Sequence, residues 1–476
     1  MKLNYIAGKW IAGESSTRNI NPANTKDIIG EYTKASVDQV NEAVAAAKAA
    51  FASWSIYNIQ ARSEMLDRIS KAILARKEEL GELLAREEGK SLPEAIGEVG
   101  RAAQVFQYFS GEVLQMRGDY QPSIRPGLDI QVSREALGVI GIITPWNFPI
   151  AIPAWKIAPA LAYGNCVVFK PADLVPASAH ALAEIIVEAG VPEGVFNLVM
   201  GAGRSVGETI INHKDIAGIS FTGSQGIGQH IAVTAAKRMA KIQLEMGGKN
   251  PLVILDDADL NQAVDVAING AFFSTGQRCT ASSRIIVTEG IYDAFIKAFE
   301  ERTRALVVGD PLKAGTQIGP VSSESQFKQN LEYVNSGLKE GATLICGGEA
   351  VIRETDGYFM TPAIFTEVRP DMRICREEIF GPVACVLKVK TYEEALVMAN
   401  DTEFGLSSGI CTQSLKYASH FKQHSQAGMV MVNVPTAGVD YHVPFGGRKG
   451  SSFGSREQGS YAREFYTSVK TSYTLA

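Results

Sequence analysis

An α/β fold built on mostly parallel sheets is what this chain predicts, on three observations. Between residues 138 and 248, short apolar runs alternate with helical segments: Val139-Ile140-Gly141-Ile142-Ile143, Cys166 to Phe169, Phe196 to Met200, Ile216 to Phe221 and Lys241 to Leu244. Strands separated by helices of that length form right-handed βαβ units whose strands run parallel and are buried on both faces. The alternation resumes from 249 to 447, with strands near Leu252 to Ile254, Arg284 to Val287 and Val383 to Val386, and helices near 290 to 306 and 392 to 400. The third observation is length, since 476 residues accommodate about three domains of roughly 150 residues.

The remaining elements follow from local pattern. Residues 58 to 116 predict two amphipathic helices, because Met65, Ile69 and Ile73 and then Leu80, Leu83 and Leu84 keep helical spacing. Ser91-Leu92-Pro93-Glu94 has the form of a capping box with proline near the first helical position. Two segments, 118 to 137 and the tail Phe465 to Tyr473, predict strands outside both α/β modules. Exposed strands need partners, so oligomerisation is expected. In parallel sheets ligands bind at the carboxyl ends of the strands. The loops Thr144 to Pro149, Lys170 to Asp173, Gly201 to Gly203 and Thr222 to Gly228 are therefore expected to build one crevice.

Composition narrows the function. Hydrophobic residues make up 46% and charged residues 20%, with a net charge of −5, which describes an ordinary globular enzyme. No basic stripe marks a nucleic-acid footprint. No apolar run reaches the roughly 18 residues of a membrane span, and the N-terminus lacks an apolar core of secretory length, so a cytoplasmic protein acting on small molecules is expected. Six cysteines without CxxC spacing predict free thiols, and six histidines without ligand spacing predict no metal site.

Cys279 stands apart from the other cysteines, in a Gly/Ser/Thr/Gln-rich loop beside Arg278. A thiol is the strongest side-chain nucleophile near neutral pH, and an adjacent cation favours its thiolate. Glu245, upstream in Glu245-Met246-Gly247-Gly248, offers a carboxylate base. The loop Gly223-Ser224-Gln225-Gly226-Ile227-Gly228 is either a tight turn or a phosphate cradle at a helix start. Lys170 and Asp173 place a cation and a carboxylate where a nucleotide ribose would lie, and Asp173 favours the free hydroxyl of NAD over the phosphate of NADP. Asn147, between two prolines, is either an oxyanion donor or a turn-stabilising amide. Glu377-Glu378 is either a solvated doublet or part of a site.

Six motifs then occur in order over essentially the whole chain: Pro145-Trp146-Asn147-Phe148-Pro149, Phe221-Thr222-Gly223-Ser224, Leu244 to Lys249, Gly276-Gln277-Arg278-Cys279, Glu378 to Pro382 and Pro444-Phe445-Gly446-Gly447. In this the chain resembles the NAD(P)-dependent aldehyde dehydrogenase superfamily. Gln277 to Arg284 and Ser455 to Gly459 look like the branch of α-ketoglutaric semialdehyde dehydrogenases. The resemblance implies a Rossmann-type nucleotide domain (1–117 and 138–248), a catalytic domain (249–447) and a small β oligomerisation element (118–137 and 448–476) in a homodimer or homotetramer. It also implies Cys279 as nucleophile, Asn147 as oxyanion donor and Glu245 as the base that activates water. Trp146, Lys170, Asp173, Gly223, Ser224, Glu378 and Phe380 would hold NAD, with NADP as an alternative, and Lys156 matches a lysine linked to proton movement. Phe148, Trp155 and Phe445 would line the aldehyde tunnel, and Arg278 and Arg284 would suit an acidic semialdehyde. The alternatives are an aliphatic or aromatic aldehyde, a coenzyme A-acylating enzyme, or a binding protein on the same scaffold.

Overall fold

The computed structural model describes residues 1–475. Five strands, Val139–Ile143, Cys166–Lys170, Phe196–Leu198, Ile216–Thr222 and Lys241–Glu245, form the parallel centre of an eight-stranded sheet. Val139–Ile143 and Cys166–Lys170 are buried throughout. That explains their unbroken Val, Ile and Phe content, since each such side chain contributes about 1.5–3 kcal/mol on leaving water. From Val139–Ile143 the chain adds Cys166–Lys170 and Phe196–Leu198 on one side, then returns to add Ile216–Thr222 and Lys241–Glu245 on the other. The topological switch point therefore lies beside Val139–Ile143, and the loop leaving that strand carries Trp146 and Asn147.

Three short strands extend this sheet by antiparallel pairing. Asn4–Ile6 and Lys9–Ile11 add at the Phe196–Leu198 end, and Ser452–Gly454 adds at the Lys241–Glu245 end. The tail from 448 onward thus divides. Ser452–Gly454 joins the first sheet, while Thr467–Leu475 pairs along nine residues with Leu128–Ala136, itself paired with Asp119–Pro122. All but the first residue of Thr467–Leu475 are exposed.

The second sheet has seven strands in the order Thr343–Cys346, Ala363–Thr366, Val383–Val389, Arg284–Thr288, Pro251–Ile254, Ser407–Cys411, Met429–Val432. All its pairs are parallel except the first, as the sequence pattern predicts. Residues 58 to 116 hold three α-helices rather than two: Ile59–Ala75, Lys77–Glu88 and Leu92–Glu112. The break falls at Arg76, whose φ of −109° leaves the helical range. The expected capping box is absent, because the Ser91 hydroxyl donates to the Glu94 carboxylate at 2.8 Å instead of accepting a backbone N–H. Glu94 has another partner, described below. No helix among the described residues is long and apolar enough to cross a membrane.

Candidate active site

The loop carrying Cys279 is tightly held. Ser274 and Thr275 adopt left-handed conformations (φ 52° and 57°), followed by Gly276 at φ 67°. Each left-handed non-glycine residue costs on the order of 1 kcal/mol, so contacts must fix the loop. The Ser274 hydroxyl donates to Glu94 at 2.9 Å and the Thr275 hydroxyl to the Gly319 carbonyl at 3.2 Å. A Cβ at Gly276 would meet the Gly381 carbonyl oxygen at 2.3 Å, so glycine alone lets this loop lie against the Phe380 loop.

Two cavities meet at this loop. One, of about 440 Å³, is lined by Phe148, Trp155, Phe445, Arg278 and Cys279, together with Lys90, Glu94, Glu98 and Arg101. Trp155 packs on Phe445 with centroids 5.6 Å apart, giving this cavity an aromatic wall. The other, of about 260 Å³, is lined by Trp146, Asn147, Gly223, Ser224, Glu378, Phe380 and again Cys279. Cys279 is the single residue common to both linings. Cys279 therefore contributes to the walls of both compartments.

Asn147 is buried, and its side-chain Nδ2 donates to the Gln277 carbonyl at 3.0 Å, which ties the amide to the Cys279 loop. That bond uses one of two N–H groups and leaves the other free. Glu245 ends its strand in register with Thr222, and its carboxylate accepts from the Ser452 hydroxyl. Burial first, and then the charge of Glu457, hold its carboxyl well above the usual carboxylate range. Glu378 accepts from the Gly248 N–H at 2.9 Å, and burial pushes its carboxyl up to about 7. A Cβ at Gly247 would lie 1.9 Å from the Glu378 carboxylate, so that glycine makes room for it.

Trp146 and Phe380 meet edge to face at 5.3 Å and wall the smaller cavity. Ser224 lines this cavity and precedes the helix Gln225–Ala236 without capping it, leaving that helix's first N–H groups without a side-chain acceptor. Lys170 and Asp173 lie one strand away, 3.5 Å apart and outside the lining that includes Cys279. Lys170 is buried and donates to the Pro171 carbonyl at 2.8 Å.

Two expectations are corrected. Arg284 does not reach the aldehyde cavity; it is fully buried in the strand Arg284–Thr288 and donates to the Met398 carbonyl at 2.9 Å. Its place on a central strand, with alternate residues directed away from the site, removes it from the substrate's path. Arg278 does line the cavity, but its guanidinium is committed to Glu94 at 2.6 Å, with further bonds to Ser274 and Asn269. Its charge is therefore neutralised, and it does not lower the thiol pKa of Cys279. Instead burial, then Glu378, then Glu245 push that thiol up to about 12.

Two contributors, Lys90 and Glu98, carry no local sequence signal. Lys90 and Glu98 form a buried pair at 2.7 Å; Lys90 also donates to the Asn147 carbonyl at 2.6 Å, and Glu98 accepts from the Ile150 and Ala151 N–H groups. Together they fix the turn that presents Asn147. Lys156 is buried and paired with Glu457, and donates to the Ser220 hydroxyl at 3.0 Å. These partners are separated by up to 301 residues in sequence. Pattern along the chain does not reveal such pairs.

The raised thiol pKa has a direct consequence without ligands present. Iodoacetamide reacts with thiolate, so modification of Cys279 is expected to accelerate about tenfold per pH unit from neutrality upward. Since the thiol titrates at about 12, no plateau should appear in a rate profile taken to moderately alkaline pH. A plateau below pH ~9 would show that burial and the neighbouring carboxylates do not govern this sulfur.

Residues 10–472 match the aldehyde dehydrogenase family. The chain is 43% identical to an α-ketoglutaric semialdehyde dehydrogenase of Bacillus subtilis, covering 98% of this chain and 97% of the relative. It is 40% identical to a 2,5-dioxopentanoate dehydrogenase of Saccharolobus solfataricus, covering 98% of each. The fold superposes on a betaine aldehyde dehydrogenase of Staphylococcus aureus, solved in complex with NAD+, with a TM-score of 0.97 at 35% identity, covering 100% of this chain and 95% of that one. With a thiol at the junction of two cavities and a family match spanning nearly its whole length, the chain belongs to the aldehyde dehydrogenase family.

Proposed function

We propose that this protein oxidises an aldehyde carrying a distant carboxylate, of the α-ketoglutaric semialdehyde type, to the carboxylic acid with NAD as acceptor. The observation that carries the reading is the position of Cys279 as the one residue facing both cavities. The aldehyde occupies the aromatic cavity. The smaller cavity, walled by Trp146 and Phe380, would hold the nicotinamide end of the dinucleotide, with Glu378 serving its ribose and the uncapped start of Gln225–Ala236 its phosphates. Gly223 and Ser224 shape that approach, and Lys170 with Asp173 holds the far ribose, where the Asp173 carboxylate favours NAD over NADP.

In the reaction, the Cys279 thiol releases its proton to solvent water and the resulting thiolate forms a C–S bond to the aldehyde carbon. The resulting oxyanion is held by the free N–H of Asn147 and the Cys279 backbone N–H. A bound nicotinamide supplies the acceptor for the hydride, so that the carbon leaves this step as a Cys279 thioester. Glu245 then takes a proton from water. The hydroxide adds to the thioester carbon, the C–S bond breaks with its electrons returning to sulfur, and the acid departs. The raised pKa of Glu245 suits a base that must accept a proton near neutrality.

The cytoplasm is the proposed location, and a homodimer or homotetramer the proposed assembly, with Thr467–Leu475 as the strand offered to a neighbour. We likewise divide the chain into nucleotide, catalytic and oligomerisation units at the boundaries read from sequence, with Ser452–Gly454 reassigned to the nucleotide sheet. Steady-state kinetics on acidic, aliphatic and aromatic aldehydes with NAD and NADP test the substrate and cofactor reading. The highest kcat/KM is expected for an acidic semialdehyde with NAD. A neutral aldehyde exceeding every acidic one would overturn the substrate class and leave the chemistry standing.

A further inference from the structure

We propose that Arg101 is the residue that recognises the far carboxylate of the substrate, an inference that rests on the acidic-semialdehyde reading above. Three cations line the aldehyde cavity: Lys90, Arg278 and Arg101. Lys90 is paired with Glu98 at 2.7 Å and is 1% exposed, so its charge is spent. Arg278 is paired with Glu94 at 2.6 Å. Arg101 forms no ion pair among the described residues; its one hydrogen bond is to the Val439 carbonyl, and its guanidinium lies 5.8 Å from the Tyr441 ring centroid. Asp440 lies near enough to act on it but is exposed and absent from the lining. The cavity's two acids and two of its three cations cancel in pairs, and Arg101 is the one cation with no partner in the lining.

Its position suits the far end of a substrate. Glu94, Gly97, Glu98 and Arg101 follow i, i+3, i+4, i+7 spacing on the helix Leu92–Glu112 and share the face that lines the cavity. Glu94 marks the end of this face beside the nucleophile, through its bond to Arg278, the neighbour of Cys279. Arg101 lies seven residues on, about 10 Å along the helix axis. Between them Gly97 presents open space, since a Cβ there would meet nothing within 4 Å. With one N–H group on Val439, the guanidinium keeps its other donors for a carboxylate, which a planar fork can bind through two parallel bonds.

The test compares 4-oxobutanoate with butanal, a neutral aldehyde of equal length, for wild type, Arg101→Met and Arg101→Lys. For Arg101→Met, kcat/KM for the acid relative to butanal should fall roughly 10- to 100-fold, as expected for loss of a charge-assisted hydrogen bond. The loss should appear in KM for the acid rather than in kcat, and Arg101→Lys should recover part of it. Wild type preferring the acid while Arg101→Met keeps that preference would overturn the role of Arg101 and leave the substrate class intact. Wild type with no preference for the acid would overturn both. A parallel rise of KM for both aldehydes, unrelieved in Arg101→Lys, would reduce Arg101 to a brace for the Val439 loop.

Discussion

Cys279→Ala is expected to lose at least about 10⁴-fold in kcat/KM, because no other residue supplies a nucleophile between the two cavities and the remaining donors act only on an intermediate that no longer forms. The other five cysteines are buried, and none lines either cavity. Fold should survive, since the side chain sits on a cavity wall and its removal opens little new space. Production of reduced nicotinamide from an aldehyde by purified variant and wild type measures the effect. Turnover within tenfold of wild type would remove Cys279 from the mechanism.

Glu245→Gln is expected to separate the two halves of the reaction. The amide keeps the shape of the side chain and can still accept from Ser452, but it cannot take a proton from water. Reduced nicotinamide should appear in a burst of about one equivalent per active site, followed by a steady rate lower by roughly 10²–10⁴-fold. Mass spectrometry of the quenched enzyme should find the acyl group on Cys279. A linear progress curve at the wild-type rate, with unmodified thiol, would assign the hydrolytic base to another residue. Glu378 would then be the alternative, since it shares the smaller cavity's lining with Cys279.

The first sheet was largely legible in the sequence because its strands are buried on both faces. Val139–Ile143 and Cys166–Lys170 have no solvent side and so read as unbroken apolar runs. Cys279 and Asn147 were legible from their loops and meet at one cavity, but the expected single crevice is divided: residues of the loops Thr144 to Pro149 and Thr222 to Gly228 line that cavity, whereas Lys170 to Asp173 and Gly201 to Gly203 lie outside it. What pattern reading misses is pairing between distant segments. Arg278 reads as a free cation beside a thiol, whereas Glu94, 184 residues earlier, holds it. Glu94 in turn looked like a helix cap, since Ser91 and proline sit where a capping box would place them. Arg284 is illegible for another reason: in Thr280 to Arg284 only the fold decides whether a cation at a strand's start faces a cavity or the sheet. Arg101 carried no motif, being a polar position on an amphipathic helix until the cavity beside it was known.

That the two linings share only Cys279 also bears on how such a protein can change over time. Substitutions at Arg101 or in the Trp155–Phe445 wall touch one compartment, and substitutions around Trp146 and Phe380 touch the other. Changes at sites without shared partners combine nearly additively. Aldehyde preference and dinucleotide preference are therefore separable traits here. A lineage, or a protein engineer, can retune one while inheriting the other unchanged, provided the sulfur between them stays in place.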